Sequence, residues 1–292
     1  MSLQEGLVIK STGSRYTVRS GNTIFECRIK GKLRIKGIRT TNPLTVGDIV
    51  DFEIQNETSE SGLPMGVITN LQQRKNYIIR KSVNLSKESH ILASNIDQAF
   101  IVATINYPFT SPTFIDRFLV TAEAYSIPSI VVFNKTDLYQ PVEMEAIYRL
   151  VDTYQKIGYR CLLTSTVTGE GLKELKEMLL DKVSMIMGVS GVGKSTLINC
   201  IDSNLHLKTE EISDYHKSGK HTTTFSEMFE LSFGGYIIDT PGIRSFGMID
   251  MKNDDVSHYF PEIFKASDNC RFNNCTHTHE PGCAVKAADS EF

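Results

Sequence analysis

The sequence predicts a three-part α/β protein: a small all-β barrel, a larger strand–helix domain and a short cysteine-rich end. Three observations predict it. Five short strand signals with turn residues between them fall within residues 4–72. From residue 98 onward, buried-strand runs alternate with amphipathic helices, the pattern of a largely parallel sheet covered on both faces. Cys270, Cys275 and Cys283 then cluster near the end of the chain, whereas Cys27, Cys161 and Cys200 stand alone as small buried hydrophobes.

A chain of 292 residues has material for two or three domains. No apolar run approaches the ~20 residues needed to span a bilayer. The start, "MSLQEGLVIK", lacks the basic and then apolar pattern of a signal peptide. A cytoplasmic protein with no membrane partner is expected. The net charge of −3 hides an asymmetry. Residues 1–39 hold nine Lys or Arg against two Glu, a net of +7, which leaves −10 for the rest. A basic module built for an anionic partner is expected at the N-terminus.

The barrel comes first, over 1–72. Its strand signals are "GLVIKS", "SRYTVRS", "TIFECRIKGKLRI", "DIVDFEIQ" and "MGVITNLQ", and five in so short a span suggest an OB-fold. Arg28, Lys30, Lys32, Arg34 and Lys36 alternate with Ile29, Gly31, Leu33, Ile35 and Gly37, so the cations share one face of a strand. Like charges spaced ~7 Å apart repel one another. A polyanion such as RNA relieves that repulsion, although a solvated surface strand carries the same pattern. Residues 73–90 are expected to form a basic linker.

The α/β domain is expected over 73–247. Its strands are "QAFIVATI", "SIVVFN", "RCLLTS", "SMIMG" and "GYIID". Its helices are "SPTFIDRFLVTAEAY", which Ser111-Pro112 starts, residues 143–157, "GLKELKEMLL" and "KSTLINCI". Between strand and helix, "GVSGVGKST" fits a phosphate-binding loop from Gly188 through Ser190, Gly191, Val192 and Gly193 to Lys194, Ser195 and Thr196. Glycines let the backbone N–H groups wrap a phosphate at a helix N-terminus. Lys194 brings charge to the β- and γ-phosphates, and the Ser195 hydroxyl is a Mg²⁺ ligand.

Three further stretches complete a GTP site. Asn134-Lys135-Thr136-Asp137 ends a strand, and the Asp137 carboxylate can accept two hydrogen bonds from guanine N1–H and N2–H₂, which adenine does not offer. Ser165 fits the loop whose backbone N–H meets guanine O6. Asp239-Thr240-Pro241-Gly242 follows a strand as the Mg²⁺-side, γ-phosphate-sensing D-x-x-G. In "KSGKHTTTF", Thr223, with Thr222 as the alternative, is expected to complete the Mg²⁺ shell. The order is unusual. The base reader lies some fifty residues ahead of the phosphate loop, whereas an ordinary GTPase has it behind. The set is complete but rotated. This predicts an α/β P-loop GTPase domain that is circularly permuted, because packing depends on spatial neighbours and tolerates new termini on exposed loops.

The last part, over 248–292, contains C-x₄-C-x-H-x₅-C from Cys270, Cys275, His277 and Cys283, with His279 as a competing ligand. Three thiolates and an imidazole match a closed structural Zn²⁺ site. A disulfide would leave one cysteine over. So short a segment buries little core, and a metal would supply its folding energy.

Position 243, just after Gly242, is often a water-orienting Gln in GTPases, and here it is Ile243. His221, beside the candidate Mg²⁺ threonines, is the in-chain group able to hold or deprotonate the attacking water; a group supplied by a bound partner is the alternative source. The residues expected to act in catalysis are thus His221, Lys194 and Thr223.

The sequence resembles the RsgA (YjeQ) family of bacterial small-subunit-dependent GTPases. The likeness rests on "VGDIVDFE", the permuted motif order, "GKHTTT" and "CRFNNCTHTHEPGCAV". It covers nearly the whole chain. It implies GTP/GDP, Mg²⁺ and one Zn²⁺ as cofactors, and His277 over His279 as the ligand. It also implies a monomer that binds the small ribosomal subunit and its rRNA as a late maturation checkpoint. Two departures stand out: Ser165-Thr166-Val167 where relatives often have Ser-Ala-Lys-like residues, and an end nine residues after Cys283 where relatives continue. Two rival readings remain open here. One is an RNA-binding chaperone that uses GTP only as an occupancy signal, and the other is a GTPase acting on tRNA or another structured RNA.

Overall fold

The computed structural model describes residues 3–30, 43–81, 89–205, 227–239 and 253–288. The expected cations Lys32, Arg34 and Lys36, the switch residues His221, Thr222 and Thr223, and Gly242 with Ile243 lie outside the described residues.

The first five strands are β1 (Leu3–Ser11), β2 (Tyr16–Ser20), β3 (Thr23–Ile29), β4 (Ile49–Thr58) and β5 (Pro64–Leu71). They run in the order β1-β2-β3-β5-β4, and β4 pairs back onto β1. Closure removes free edges, and with β3 and β5 parallel the topology is that of an OB-fold barrel. The period-two pattern explains the interior. Tyr16, Val18, Phe25, Cys27, Phe52 and Ile68 fill it, with Phe25 and Phe52 ring centroids 4.9 Å apart. Arg28 and Lys30 project to solvent on the opposite face, as the alternation requires.

Residues 73–90 were expected as a linker, and they are not one. They run into a hairpin of β6 (Tyr77–Lys81) and β7 (Ser89–Ser94). Ile78, Ile91 and Ala93 are buried, and Ile78 and Ala93 join the core of the following domain, which outweighs the basic residues around them. The barrel is fixed to this hairpin by a buried joint. Asp48, fully buried, accepts hydrogen bonds from Arg74 Nε at 2.6 Å and Nη2 at 2.7 Å, from Ser94 Oγ at 2.6 Å and from Thr45 N at 2.9 Å.

The α/β domain follows as β8 (Gln98–Ala103), α1 (Pro112–Ala124), β9 (Ser129–Asn134), α2 (Pro141–Ile157), β10 (Arg160–Thr164), α3 (Leu172–Leu179), β11 (Val183–Met187), α4 (Lys194–Ile201), β12 (Glu227–Glu230) and β13 (Tyr236–Asp239). The sheet order is β10-β9-β8-β11-β13-β12. All its pairs are parallel except the antiparallel edge β12, which the sequence did not suggest because only Met228 of its four residues is fully buried. Alternate residues of β8 divide between two cores: Ile101 and Ala103 on one face, Phe100 and Val102 on the other. Ser111 starts α1 by accepting from Phe114 N, with Pro112 at the first helical position. Edge strand β12 meets the barrel at one residue pair, Lys10 with Glu227, so a single sheet of eleven strands runs through both domains.

A 3-10 segment (Asn253–Tyr259), α5 (Pro261–Ser267) and α6 (Ala284–Ala288) form the C-terminal part. No buried residue supports α5 or α6, as expected of a segment too small to build a core.

Candidate active site

β10, β9, β8 and β11 run parallel in that order, so the C-terminal ends of β9, β10 and β11 lie along one edge of the sheet, and each leads into one of the predicted loops. After β11 the phosphate loop turns through Gly188, Gly191 and Gly193, all at positive φ. Two of these glycines are dictated by space. A Cβ on Gly188 would lie 2.3 Å from Val102 O, and one on Gly193 would lie 2.7 Å from Asn134 Nδ2. Val192 is buried, Ser190 is exposed, and Lys194, Ser195 and Thr196 open α4. Lys194 Nζ donates to Gly188 O and Val189 O, both at 2.9 Å, so the ammonium lies over the loop.

The base-reading loop is tied directly to the phosphate loop. Asn134, 2% exposed, donates from Nδ2 to Val192 O at 2.9 Å and accepts from Thr164 Oγ1 at 2.9 Å. Lys135 takes the left-handed conformation at φ 65, and its Nζ donates to Gly191 O and Tyr107 O, both at 2.7 Å. Thr136 Oγ1 donates its one hydrogen to Glu170 Oε2 at 2.5 Å and lies 3.3 Å from Thr164 O. Two side chains therefore brace the base loop against the phosphate loop, and two more brace it against the guanine loop. Thr164, Glu170 and the Tyr107 carbonyl were not singled out from sequence. They belong to no motif, and only the fold brings them in.

The Ser165 side chain has a part of its own beside the loop role expected from sequence. It is fully buried, and its hydroxyl donates to Asp137 Oδ1 at 2.5 Å while accepting from Val167 N and Thr168 N at 3.1 Å. Its own N–H is already bonded to Glu170 O at 3.1 Å. Ser165 thus orients the exposed Asp137 carboxylate. On the phosphate side, β13 brings the Asp239 backbone to the sheet end beside β11.

A second cluster lies in the C-terminal part. The ligand atoms of Cys270, Cys275, His277 and Cys283 all fall within 4.8 Å of one another. His277 Nδ1 is 3.7 Å from Cys270 Sγ and 3.5 Å from Cys283 Sγ. Backbone N–H groups of Ala284 and Lys286 point at Cys270 Sγ and Cys283 Sγ at 3.4 Å. Burial pushes the Cys270 thiol up, but the amides of Val285 and Ala284 and the neighbouring thiols outweigh it, so its pKa falls below the usual thiol value. The donor set and spacings suit a tetrahedral Zn²⁺ site, with the amides stabilising thiolate charge. His279 is outside the cluster, with Nδ1 at 2.9 Å from Thr278 Oγ1.

The sequence model of the RsgA GTPase matches residues 71–249, and that of the RsgA N-terminal domain matches 5–61. The chain belongs to the RsgA GTPase family. Membership makes it a GTP hydrolase with a circularly permuted domain. It is 55% identical over 284 residues to a Flavobacterium psychrophilum protein named small ribosomal subunit biogenesis GTPase RsgA, covering 97% of this chain and 86% of that one. A Bacteroides fragilis protein of the same name is 54% identical over 288 residues, covering 98% and 91%. Among solved structures, YjeQ from Thermotoga maritima matches with a TM-score of 0.78 and 33% identity, covering 99% and 92%. YloQ, described as a circularly permuted GTPase, matches with a TM-score of 0.73 and 28% identity, covering 99% and 89%. The RsgA family therefore accounts for barrel, permuted domain and C-terminal part together. No helix among the described residues is long and apolar enough to cross a membrane.

Proposed function

We propose that this chain binds the small ribosomal subunit and hydrolyses GTP there, as a late checkpoint in that subunit's maturation. The observation that carries the reading is the bracing of the base loop on the phosphate loop through Asn134 and Lys135, within a chain similar over nearly its full length to small-subunit biogenesis GTPases. The domain limits we assign are 1–72, 73–247 and 248–292. Asp137, oriented by Ser165, reads guanine; Gly188 to Thr196 hold the phosphates; Asp239 and Gly242 face the γ-phosphate side. Ser195 and Thr223 offer hard hydroxyl oxygens of the kind Mg²⁺ takes, and Mg²⁺ supplies charge neutralisation of the phosphates. The four-residue cluster holds one Zn²⁺ that folds the C-terminal part. The exposed Arg28 and Lys30 belong to the RNA-facing side of the barrel. A monomer acting in the cytoplasm completes the reading.

Ile243 cannot orient water, so His221 takes that role when the subunit docks. His221→Ala should leave GTP affinity nearly unchanged and lower subunit-stimulated single-turnover hydrolysis by roughly 10²-fold. Unaltered stimulation would pass the role to the ribosome. The reading as a whole is tested by co-sedimentation with purified small subunits in GDP and in a nonhydrolysable GTP analogue. Stronger binding with the analogue is expected, and equal binding in both would contradict the checkpoint. Nucleotide-dependent binding without turnover would leave only an occupancy signal.

A further inference from the structure

Between the helices of the α/β domain and the C-terminal part lies a cavity of about 260 Å³. Its walls are largely apolar, with Leu119 from α1, Leu150 and Ile157 from α2, and Phe260 just before α5. Two carboxylates also line it, Asp116 of α1 and Glu262 of α5, and among the described residues no Lys or Arg lines it. Asp116 Oδ1 accepts from the Tyr154 hydroxyl at 2.9 Å. Glu262 Oε2 is buried and has no hydrogen-bond partner among the described residues. Burial raises the Asp116 carboxyl against the opposing Tyr154 bond. Burial raises Glu262 too, and the nearby Asp116 charge adds to it against the bond from its own N–H. Tyr159, the other hydroxyl on this wall, is engaged by Glu123, so its O–H is committed elsewhere.

A buried acceptor without a donor costs free energy, and two carboxylates facing one space repel. Both costs vanish when a cation enters. The apolar wall and the acidic end together specify the shape of that cation: an aliphatic stem with a charged head. A phosphate backbone is repelled by the same two groups. A Mg²⁺ ion would keep a shell of waters that the apolar wall cannot hydrogen-bond. An arginine fork, with five donors, can meet both carboxylates at once.

We infer that this cavity receives an arginine or lysine side chain from a protein of the small ribosomal subunit. The inference rests on the proposed function for the source of that side chain. Docking there would clamp the C-terminal part against α1 and α2 in the subunit-bound state.

The test uses the full chain with Glu262→Gln and, separately, Asp116→Asn, sedimented with purified small subunits in a nonhydrolysable GTP analogue. Each variant should bind at least about 5-fold more weakly, the scale of one lost charge-assisted contact. Basal GTP hydrolysis should be unchanged, and melting temperature unchanged or higher. A merely structural role predicts the reverse: altered stability with binding intact. A photo-crosslinking residue at the exposed Thr153, on the cavity rim, should attach to a subunit-protein peptide containing Arg or Lys. Wild-type affinity in both variants overturns the inference, as does crosslinking to rRNA alone or to nothing. If the wild-type chain itself fails to sediment with subunits, the functional reading falls first, and the source named here falls with it.

Discussion

Asp48 of the barrel and Glu262 of the C-terminal part each sit at a joint with the α/β domain, and their surroundings are opposite. Asp48 meets Arg74 through two bonds, Ser94 through a third and Thr45 N through a fourth. Glu262 has a buried oxygen with no partner among the described residues and a second carboxylate, Asp116, across a cavity. A satisfied buried charge fixes geometry, because any relative movement breaks several bonds together. An unsatisfied one favours a change of state, by protonation or by ligand. The barrel joint is thus built to hold, and the C-terminal joint is built to respond.

The comparison is broken most directly at the barrel joint. Arg74→Met leaves Asp48 buried without its cation, and should cost about 3–5 kcal/mol in chemical unfolding. A loss under about 1 kcal/mol would mean that the joint is loose, and the contrast with Glu262 would disappear. The exposed Asp137 sits between the two extremes, held by the single Ser165 hydroxyl with room for more donors. Asp137→Asn should weaken guanine nucleotide binding by on the order of 2–3 kcal/mol, and improve xanthine nucleotide binding. Unchanged GTP affinity in a titration would displace the base from this loop.

The C-terminal joint should behave in the opposite sense. Glu262→Gln should stabilise the isolated protein at pH 8, by on the order of 1 kcal/mol. The sign follows from its raised folded pKa. Below the ordinary carboxylate range the group is protonated folded and unfolded, and it costs nothing. As pH rises from the ordinary carboxylate range through the raised folded value the wild type loses stability, so the advantage of the variant should grow over that rise and be absent below it. Asp116, which shifts the same way, faces it, with Tyr154, Tyr159 and Glu123 around the pair. A pH-independent difference in thermal melts would remove Glu262 from the account. Smallest of all should be the outer contact of barrel and sheet. Lys10 and Glu227 are 2.9 Å apart but 45% and 41% exposed, and a double-mutant cycle should give less than about 1 kcal/mol. A larger coupling would shift the holding role from Asp48 to this edge.

These joints were the part of the molecule that sequence reading could not reach. Strand–helix alternation and motif order were enough for the permuted sheet, since both are local patterns, and the cysteine spacing was enough for the three thiolates of the cluster, while the family resemblance chose His277 over His279. Asp48 and Arg74, or Asp116 and Glu262, are ordinary residues until the fold brings them together. The hairpin was a different miss. Tyr77-Ile78-Ile79 and Ile91-Leu92-Ala93 are visible apolar runs, but the basic residues between them drew the reading toward a linker. At the nucleotide site, residue types pointed to Asn134, Lys135 and Asp137, while their bracing by Thr164, Ser165 and Gly191 depends on loops that only the sheet aligns.

The central claim is that the rotated motifs form a working GTPase that answers to the small ribosomal subunit. Multiple-turnover phosphate release from GTP, with purified small subunits, with large subunits and with neither, tests it most directly. Slow release is expected alone and with large subunits, and release at least about ten times faster with small subunits. Equal rates in all three would contradict it.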